Sequence, residues 1–235
     1  AGWSEFSPFL EYSDEECKSW LKAALEGATK PWPNFSRKNI AINATLPKVK
    51  ADQVPQILGG FPGAKVIKIK IDSFESDADL VEAALEYSPD AKIRLDVNGG
   101  WSLKEALLNL HDFHLRFGKV FDYVEQPCNN FEDLKVLKNE VPIKIAVDES
   151  IRKNLNSNLA ELNECADIAI LKWQPIGGFT KAEEIAKTVG LPVVVSSALE
   201  SGIGLSHGLA LAATMNVDLA CGLGTASLLI EDIVN

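Results

Sequence analysis

From about residue 39 onward, short apolar runs alternate with longer stretches in which apolar residues recur every three or four positions. The runs predict strands at 40–45, 65–71, 91–97, 121–125, 143–148, 167–172, 192–197 and, more weakly, 218–222. The longer stretches predict helices at 52–58, 77–87, 102–117, 131–139, 157–164, 179–189 and 204–214. The strands are continuous apolar runs rather than alternating ones, as expected when both faces of a parallel sheet are buried. Helix starts carry capping signals: Ser76 or Asp77 before the second helix, and Ser102 with Glu105 before the third. Strict strand–helix alternation predicts an α/β fold, a TIM-like (β/α)7β barrel. An open α/β sheet is the competing arrangement. Gly59-Gly60 and Gly177-Gly178 do not make the G-x-G-x-x-G turn that such a sheet would carry, and there is no phosphate-binding G-x-x-x-x-G-K-[ST].

Residues 1–36 break this rhythm. A short strand is expected at 2–6 and a helix at about 14–28, opened by Ser13 with Glu16 three residues later. Pro31, Trp32 and Pro33 then end regular structure. The chain therefore divides into a partial α+β flanking domain at 1–36 and a barrel domain at 37–235. Ala1-Gly2-Trp3 lacks an initiator Met and the chain stops at Asn235 without a capping signal, so further sequence is expected at one or both ends.

Composition narrows the function. The 235 residues are 46% hydrophobic and 24% charged, enough for a large core. A net charge of −10 without a basic patch argues against nucleic acid as a partner. No apolar run reaches the roughly 18 residues that span a bilayer. Cys17, Cys128, Cys165 and Cys221 are scattered, which suits reduced thiols in a cytoplasmic protein.

The chemistry lies at the strand ends. Lys70, Asp96, Glu125, Asp148 and Lys172 each close an apolar run, at intervals of 26, 29, 23 and 24 residues. That period fits one strand, one helix and two short loops, so in a barrel all five reach the same mouth. Any one carboxylate alone would be a helix cap or a salt-bridge partner. Three at matching strand ends repel one another unless a cation joins them, and an all-oxygen set suits Mg²⁺, with Mn²⁺ able to substitute. Lys68 and Lys70 share one face of their strand, and a lysine beside another cation can act as a base near neutrality. Lys172 would lie across an eight-stranded barrel from Lys70. A metal flanked by two lysines suits removal of a proton α to a carboxylate. Asn98, Glu149 and Ser150 are candidate supporting groups, with loop capping an equal reading. Small residues at Ser196, Ser197, Glu200–Gly204 and Gly222–Thr225 could seat a second carboxylate of a dicarboxylate substrate, or simply form tight turns. His111, His114 and His207 are given no catalytic role.

Lys68-Ile69-Lys70, Leu95-Asp96-Val97-Asn98, Val124-Glu125-Gln126-Pro127-Cys128, Ala146-Val147-Asp148-Glu149-Ser150, Leu171-Lys172 and Ser196-Ser197-Ala198-Leu199-Glu200-Ser201 together resemble the enolase superfamily. Within it they look most like the o-succinylbenzoate synthase family of menaquinone biosynthesis. Gly2-Trp3-Ser4-Glu5-Phe6-Ser7-Pro8 is similar to part of that family's capping domain. The resemblance implies Lys70 as acid/base, Lys68 as the neighbour that tunes it, Asp96, Glu125 and Asp148 as Mg²⁺ ligands, and Lys172 as a stabilising cation. It implies a Mg²⁺-dependent syn dehydration, with Asn98, Ser196, Ser197, Glu200 and Gly222 toward the substrate. The same residues would also serve an N-succinyl or N-acyl amino acid racemase. A Schiff-base aldolase and a non-catalytic truncated barrel are alternatives from other classes. Oligomeric state stays open.

Overall fold

The computed structural model of the chain describes residues 2–215 and 218–234. Ala1 and Asn235, the outer limits of the two expected domains, lie outside the described residues. Among the described residues the helices are α1 (Asp14–Thr29), α2 (Val54–Leu58), α3 (Phe74–Tyr87), α4 (Leu103–Phe117), α5 (Phe131–Glu140), α6 (Glu149–Arg152), α7 (Leu162–Cys165), α8 (Trp173–Ile176), α9 (Phe179–Val189) and α10 (Gly202–Thr214). The strands are β1 (Ala44–Leu46), β2 (Val66–Lys70), β3 (Lys92–Asp96), β4 (Phe121–Glu125), β5 (Ile145–Val147), β6 (Ile168–Lys172) and β7 (Val193–Ser196). The chain divides into two compact units. The first comprises Ala1–Ile42, Ile151–Ala160 and Ala169–Asn235; the second comprises Asn43–Ser150 and Glu161–Ile168.

In the second unit β1 to β5 pair in parallel, each with the next in sequence. The pairing aligns side chains into rows. Ile67 stands beside Ile93, and Ile69 beside Leu95 and Val124, all essentially inaccessible to solvent. On the opposite face the rows are Lys68–Arg94–Tyr123 and Lys70–Asp96–Glu125. The sheet thus has one apolar face, covered by helices, and one buried polar face. A bulge between Ile93 and Arg94 leaves Asp122 over, and its carboxylate accepts from Arg94 Nε at 2.8 Å. Arg94 is fully buried, stacks its guanidinium 4.5 Å from the Tyr123 ring centroid and donates to Asn43 Oδ1 at 3.1 Å.

The first unit holds β6 and β7, again parallel, with Lys172 beside Ser196. Its core includes Trp20 of α1, which meets Phe9 and Tyr12 edge-on at 5.2 and 5.8 Å. Gly178 has φ +100, and a Cβ there would stand 2.1 Å from Glu26 Oε2. This glycine lets the buried Glu26 carboxylate reach Thr180, which opens the first turn of α9. Gly177-Gly178 is therefore a packing device between α1 and α9.

Several expectations need correction. The strand at 2–6 does not form: of the described backbone, Gly2 N–H reaches Ala28 O, but no ladder partner follows. The weak eighth strand reduces to single bridges, Ile42 with Cys221 and Ser196 with Gly222. The helix at 157–164 breaks into a 3-10 turn at Leu159–Glu161 and the short α7. α3 starts earlier than expected, because Ser73 accepts from Ser76 N–H while Asp77 accepts from Ser73 N–H. Ser13 and Ser102 form reciprocal capping boxes with Glu16 and Glu105, as the sequence predicts. All four cysteines are free thiols, and burial pushes Cys128 up to about 12 and Cys165 up to about 11. Among the described residues no helix is long and apolar enough to cross a membrane.

Candidate active site

In the second unit, parallel register brings together residues that are 26 to 57 positions apart in the chain. Lys70, Asp96 and Glu125 are the last residues of β2, β3 and β4 and stand side by side in one row. Lys68 lies one step below on the same face and extends upward. Its Nζ is 2.7 Å from both Glu125 oxygens and 2.9 Å from Asp96 Oδ2. Lys70 Nζ lies 3.3 Å from Asp96 Oδ2 and 2.6 Å from Asn98 Oδ1, and its side chain is 40% exposed. The two lysines differ accordingly: Lys68 is locked inside an ion cluster, whereas Lys70 faces an accessible space.

Burial alone would depress the Lys68 ammonium. The Asp96 and Glu125 carboxylates outweigh that and hold it well above its ordinary value. Lys68 is thus a fixed positive charge beside Lys70. Burial also pushes the Tyr123 hydroxyl above its ordinary value, so Tyr123 stays neutral next to this cluster.

Asp148 directly follows β5 and is completely buried. Gln126 governs it, and the sequence reading gave Gln126 no role. Its Oε1 accepts from Asp148 N–H at 3.0 Å and from Ser150 N–H at 3.1 Å. Its Nε2 donates to Cys128 O at 2.8 Å and Ser150 Oγ at 2.7 Å. Gln126 holds φ +41, a conformation that costs of order 1–3 kcal/mol in a residue with a Cβ. Asn98, at φ +52, joins the group by donating to Glu149 Oε1 at 3.3 Å. We expect Gln126→Ala to strip one buried and one half-buried N–H group of their acceptor. Stability should fall by about 2 kcal/mol, and turnover should fall with it. Urea unfolding and steady-state assays check this; unchanged values in both would remove Gln126 from the site.

Asp96, Glu125 and Asp148 are all nearly inaccessible. They supply only oxygen donors, the chemistry that fits Mg²⁺ rather than Zn²⁺. Among the described residues no three His, Cys, Asp or Glu side chains are gathered into a ready cage. The ammonium of Lys68 lies between the Asp96 and Glu125 carboxylates instead.

The first unit carries the remaining candidates. Lys172 ends β6 beside Ser196 at the end of β7. Ser196 Oγ donates to Gly222 O at 3.3 Å, Ser197 N–H donates to the same carbonyl at 3.0 Å, and Ser197 Oγ is 2.6 Å from Thr225 Oγ1. Ser196, Ser197 and Gly222 are thereby one local group. Glu200 turns inward and is fully buried, accepting from Gln174 Nε2 at 2.9 Å and Ala198 N–H at 3.2 Å. His207 is buried and stacked on Trp173 with ring centroids 4.4 Å apart, while His111 is exposed and pairs with Asp112.

Burial pushes the Glu200 carboxyl up to about 7; nearby Glu5 adds to the rise, and its hydrogen bonds and Lys172 oppose it. The unfolded carboxyl titrates near 4.3, at about the model-peptide value. The buried acid form therefore stabilises the fold fully below that pH, and the contribution is lost as pH rises through about 7. Glu200→Gln should flatten the dependence of the urea midpoint on pH across this window. An unaltered slope would show that another group titrates.

Residues 59–234 match the Enolase C-terminal domain-like family and residues 1–28 the Enolase N-terminal domain-like family. The o-succinylbenzoate synthase of Mycolicibacterium smegmatis is 41% identical over 238 residues, covering 99% of this chain and 73% of that protein. The chain belongs to the o-succinylbenzoate synthase family of the enolase superfamily. Another o-succinylbenzoate synthase, from Mycobacterium leprae, is also 41% identical, over 99% of this chain and 70% of its own length. Among solved structures, MenC from Desulfotalea psychrophila LSv54 superposes with a TM-score of 0.75 at 28% identity, covering 96% of this chain and 68% of that one. The mandelate racemase/muconate lactonizing family protein from Azoarcus sp. EbN1 gives a TM-score of 0.77 at 21% identity, a likeness of fold alone. The chain spans 92% of itself in that comparison but 62% of the Azoarcus protein.

Proposed function

We propose that this protein is a Mg²⁺-dependent o-succinylbenzoate synthase, a carbon–oxygen lyase of menaquinone biosynthesis. The observation that carries the reading is the identity of 41% along 99% of the chain to curated o-succinylbenzoate synthases. The side-by-side row of Lys70, Asp96 and Glu125 supports it. Asp96, Glu125 and Asp148 would hold Mg²⁺, which when bound supplies positive charge to stabilise the enediolate of the substrate carboxylate. Residues 1–36 are read as part of a capping domain and residues 37–235 as a TIM-like (β/α)7β barrel. A cytoplasmic location and a small dicarboxylate substrate follow from the same reading.

The substrate is 2-succinyl-6-hydroxy-2,4-cyclohexadiene-1-carboxylate. Lys70 takes the α proton. The electron pair of that C–H bond passes onto the carboxylate as the enediolate, and in the second step it returns to form the ring double bond as the C–OH bond breaks. The Lys70 ammonium then returns the proton to the departing hydroxyl, which leaves as water on the same face. Aromatisation drives the second step. Lys68 keeps a fixed positive charge in the ion cluster with Asp96 and Glu125, one step below Lys70 on the same strand face. Asn98 orients the Lys70 amine through its Oδ1. Lys172 acts as a cation on the developing negative charge without moving a proton. Ser196, Ser197 and Gly222 contribute to the seat of the succinyl tail.

The test is formation of the aromatic product, followed by absorbance, with Mg²⁺ and with EDTA. We expect turnover to stop in EDTA, to return on adding Mg²⁺ and to be supported by Mn²⁺. Turnover that persists in EDTA would overturn the metal assignment. Absence of turnover together with α-proton exchange on N-succinyl amino acids would move the protein to the racemases.

A further inference from the structure

The backbone from Gly2 to Phe9 has no regular secondary structure, yet two of its side chains are tied into the first unit. Glu5 sits on the N-terminus of α10. Its carboxylate accepts from Ser201 N–H at 3.1 Å and Gly204 N–H at 3.0 Å, and the Ser201 hydroxyl also donates to it. Ser201 is the first flanking residue of α10, but its own side chain makes no capping bond. The helix is capped from a segment almost 200 positions away, and the favourable charge–dipole term comes with it. Gly204 permits the approach, since a Cβ there would lie 2.8 Å from Glu5 Oε2.

From Glu5 the bonds run inward. Ser7 Oγ donates to Glu5 Oε1 at 2.7 Å. Ser7 N–H donates to Gln174 Oε1 at 3.3 Å, and Gln174 Nε2 lies 3.4 Å from Ser7 Oγ. The same Nε2 donates to Glu200 Oε1 at 2.9 Å, and Glu200 Oε2 holds Ala198 N–H. Gln174 and Glu200 are both fully buried. Gln174 lies two residues beyond Lys172, and Ala198 two beyond Ser196, the residue paired with Lys172. The circuit closes where Glu200 adjoins Ser201. It therefore fixes the ends of both strands against one another, and each link is buried or half-buried, where hydrogen bonds define geometry most strongly.

We propose that Glu5 and Ser7 are positioning residues for Lys172, acting through the Gln174–Glu200 pair. They do not touch substrate; they set where the β6 end, and with it the ammonium, is held. This inference rests on the proposed role of Lys172. Rate loss from small misplacement of a catalytic group is large compared with the stability lost when one such hydrogen bond is removed.

The experiment compares Glu5→Gln and Ser7→Ala with Ser13→Ala, which removes a cap on α1 whose side-chain hydrogen bonds go to Glu16 and not to the Gln174–Glu200 pair. Two readouts are taken on the whole protein: kcat and KM with the cyclohexadiene carboxylate, and the ¹³C signal of Lys172 in protein carrying ¹³C at lysine Cε, assigned by Lys172→Arg. We expect Glu5→Gln and Ser7→Ala to lower kcat at least tenfold with KM within twofold, and to shift the Lys172 signal. Ser13→Ala should leave kcat within twofold and the signal in place. Gly204→Ala, which would stabilise an ordinary helix interior, should instead reproduce the Glu5→Gln effect. Equal losses in Glu5→Gln and Ser13→Ala, or an unmoved Lys172 signal in Glu5→Gln, would overturn the proposal. If wild-type protein shows no turnover, the proposed function fails, and the Lys172 signal still decides this one.

Discussion

Lys70→Ala should lower kcat by about 10³-fold, the scale of a lost general acid–base group. The reason is geometric. Lys70 is the one member of the row of Lys70, Asp96 and Glu125 whose side chain is substantially exposed, and its amine is directed by Asn98 Oδ1 and Asp96 Oδ2. Lys68, which bridges the Asp96 and Glu125 carboxylates, stays in place in the variant. Mg²⁺ binding should therefore survive the substitution, and the substrate should still bind. The assay is aromatisation at saturating substrate, with calorimetry for Mg²⁺. Wild-type turnover in the variant would assign the proton transfer to another group. Loss of Mg²⁺ binding would instead mean that Lys70 organises the carboxylates.

Glu125→Ala should cost about 3 kcal/mol of stability, near the lower end of what removing one partner of a buried ion pair costs. Glu125 is 1% exposed and receives Lys68 Nζ on both oxygens at 2.7 Å. Deleting the carboxylate leaves a buried ammonium with Asp96 as its remaining close acidic partner. The companion variant Lys68→Met with Glu125→Gln should recover most of the loss, because it leaves no unpaired buried charge. Urea unfolding in EDTA measures all three proteins without a metal contribution. A double variant no more stable than Glu125→Ala would show that a stranded ammonium is not the source of the loss.

The strand-end spacing made much of the candidate site legible from sequence. A repeat of 23 to 29 residues can only come from a strand and a helix, and parallel register then aligns Lys70, Asp96 and Glu125 without further information. Capping boxes at Ser13 and Ser102 are legible for the same reason: the partners are three residues apart. What escaped depends on contacts that have no local period. Gln126 gains its role from a left-handed backbone at the β4 end, and nothing in Glu-Gln-Pro announces a positive φ. Arg94 did leave a signal, a charge in the middle of Lys-Ile-Arg-Leu-Asp on the face shared with Asp96. Its partners, Asp122 and Asn43, depend on a bulge and on the residue preceding β1, two strands away. The strand expected at 2–6 failed because local residue preference sets only a propensity, whereas a strand also needs a ladder partner. Glu5 in that stretch and Ser7 just beyond it spend their hydrogen bonds on α10 and α8 instead.

The two polar rows of the second unit also bear on how the chain finds its register. In a strand, sliding by one position exchanges the faces of every side chain. For β2 such a slip would carry Lys68 and Lys70 into the apolar layer occupied by Ile67 and Ile69, away from the carboxylates that neutralise them. For β3 it would bury Arg94 and Asp96 among helix side chains. Each misaligned pairing would strand charges in hydrocarbon, so it lies far above the native pairing in energy. The charged residues of these rows would thus act as alignment marks during assembly, so the side chains that line the candidate site also narrow the choice of misfolded sheets open to the nascent chain.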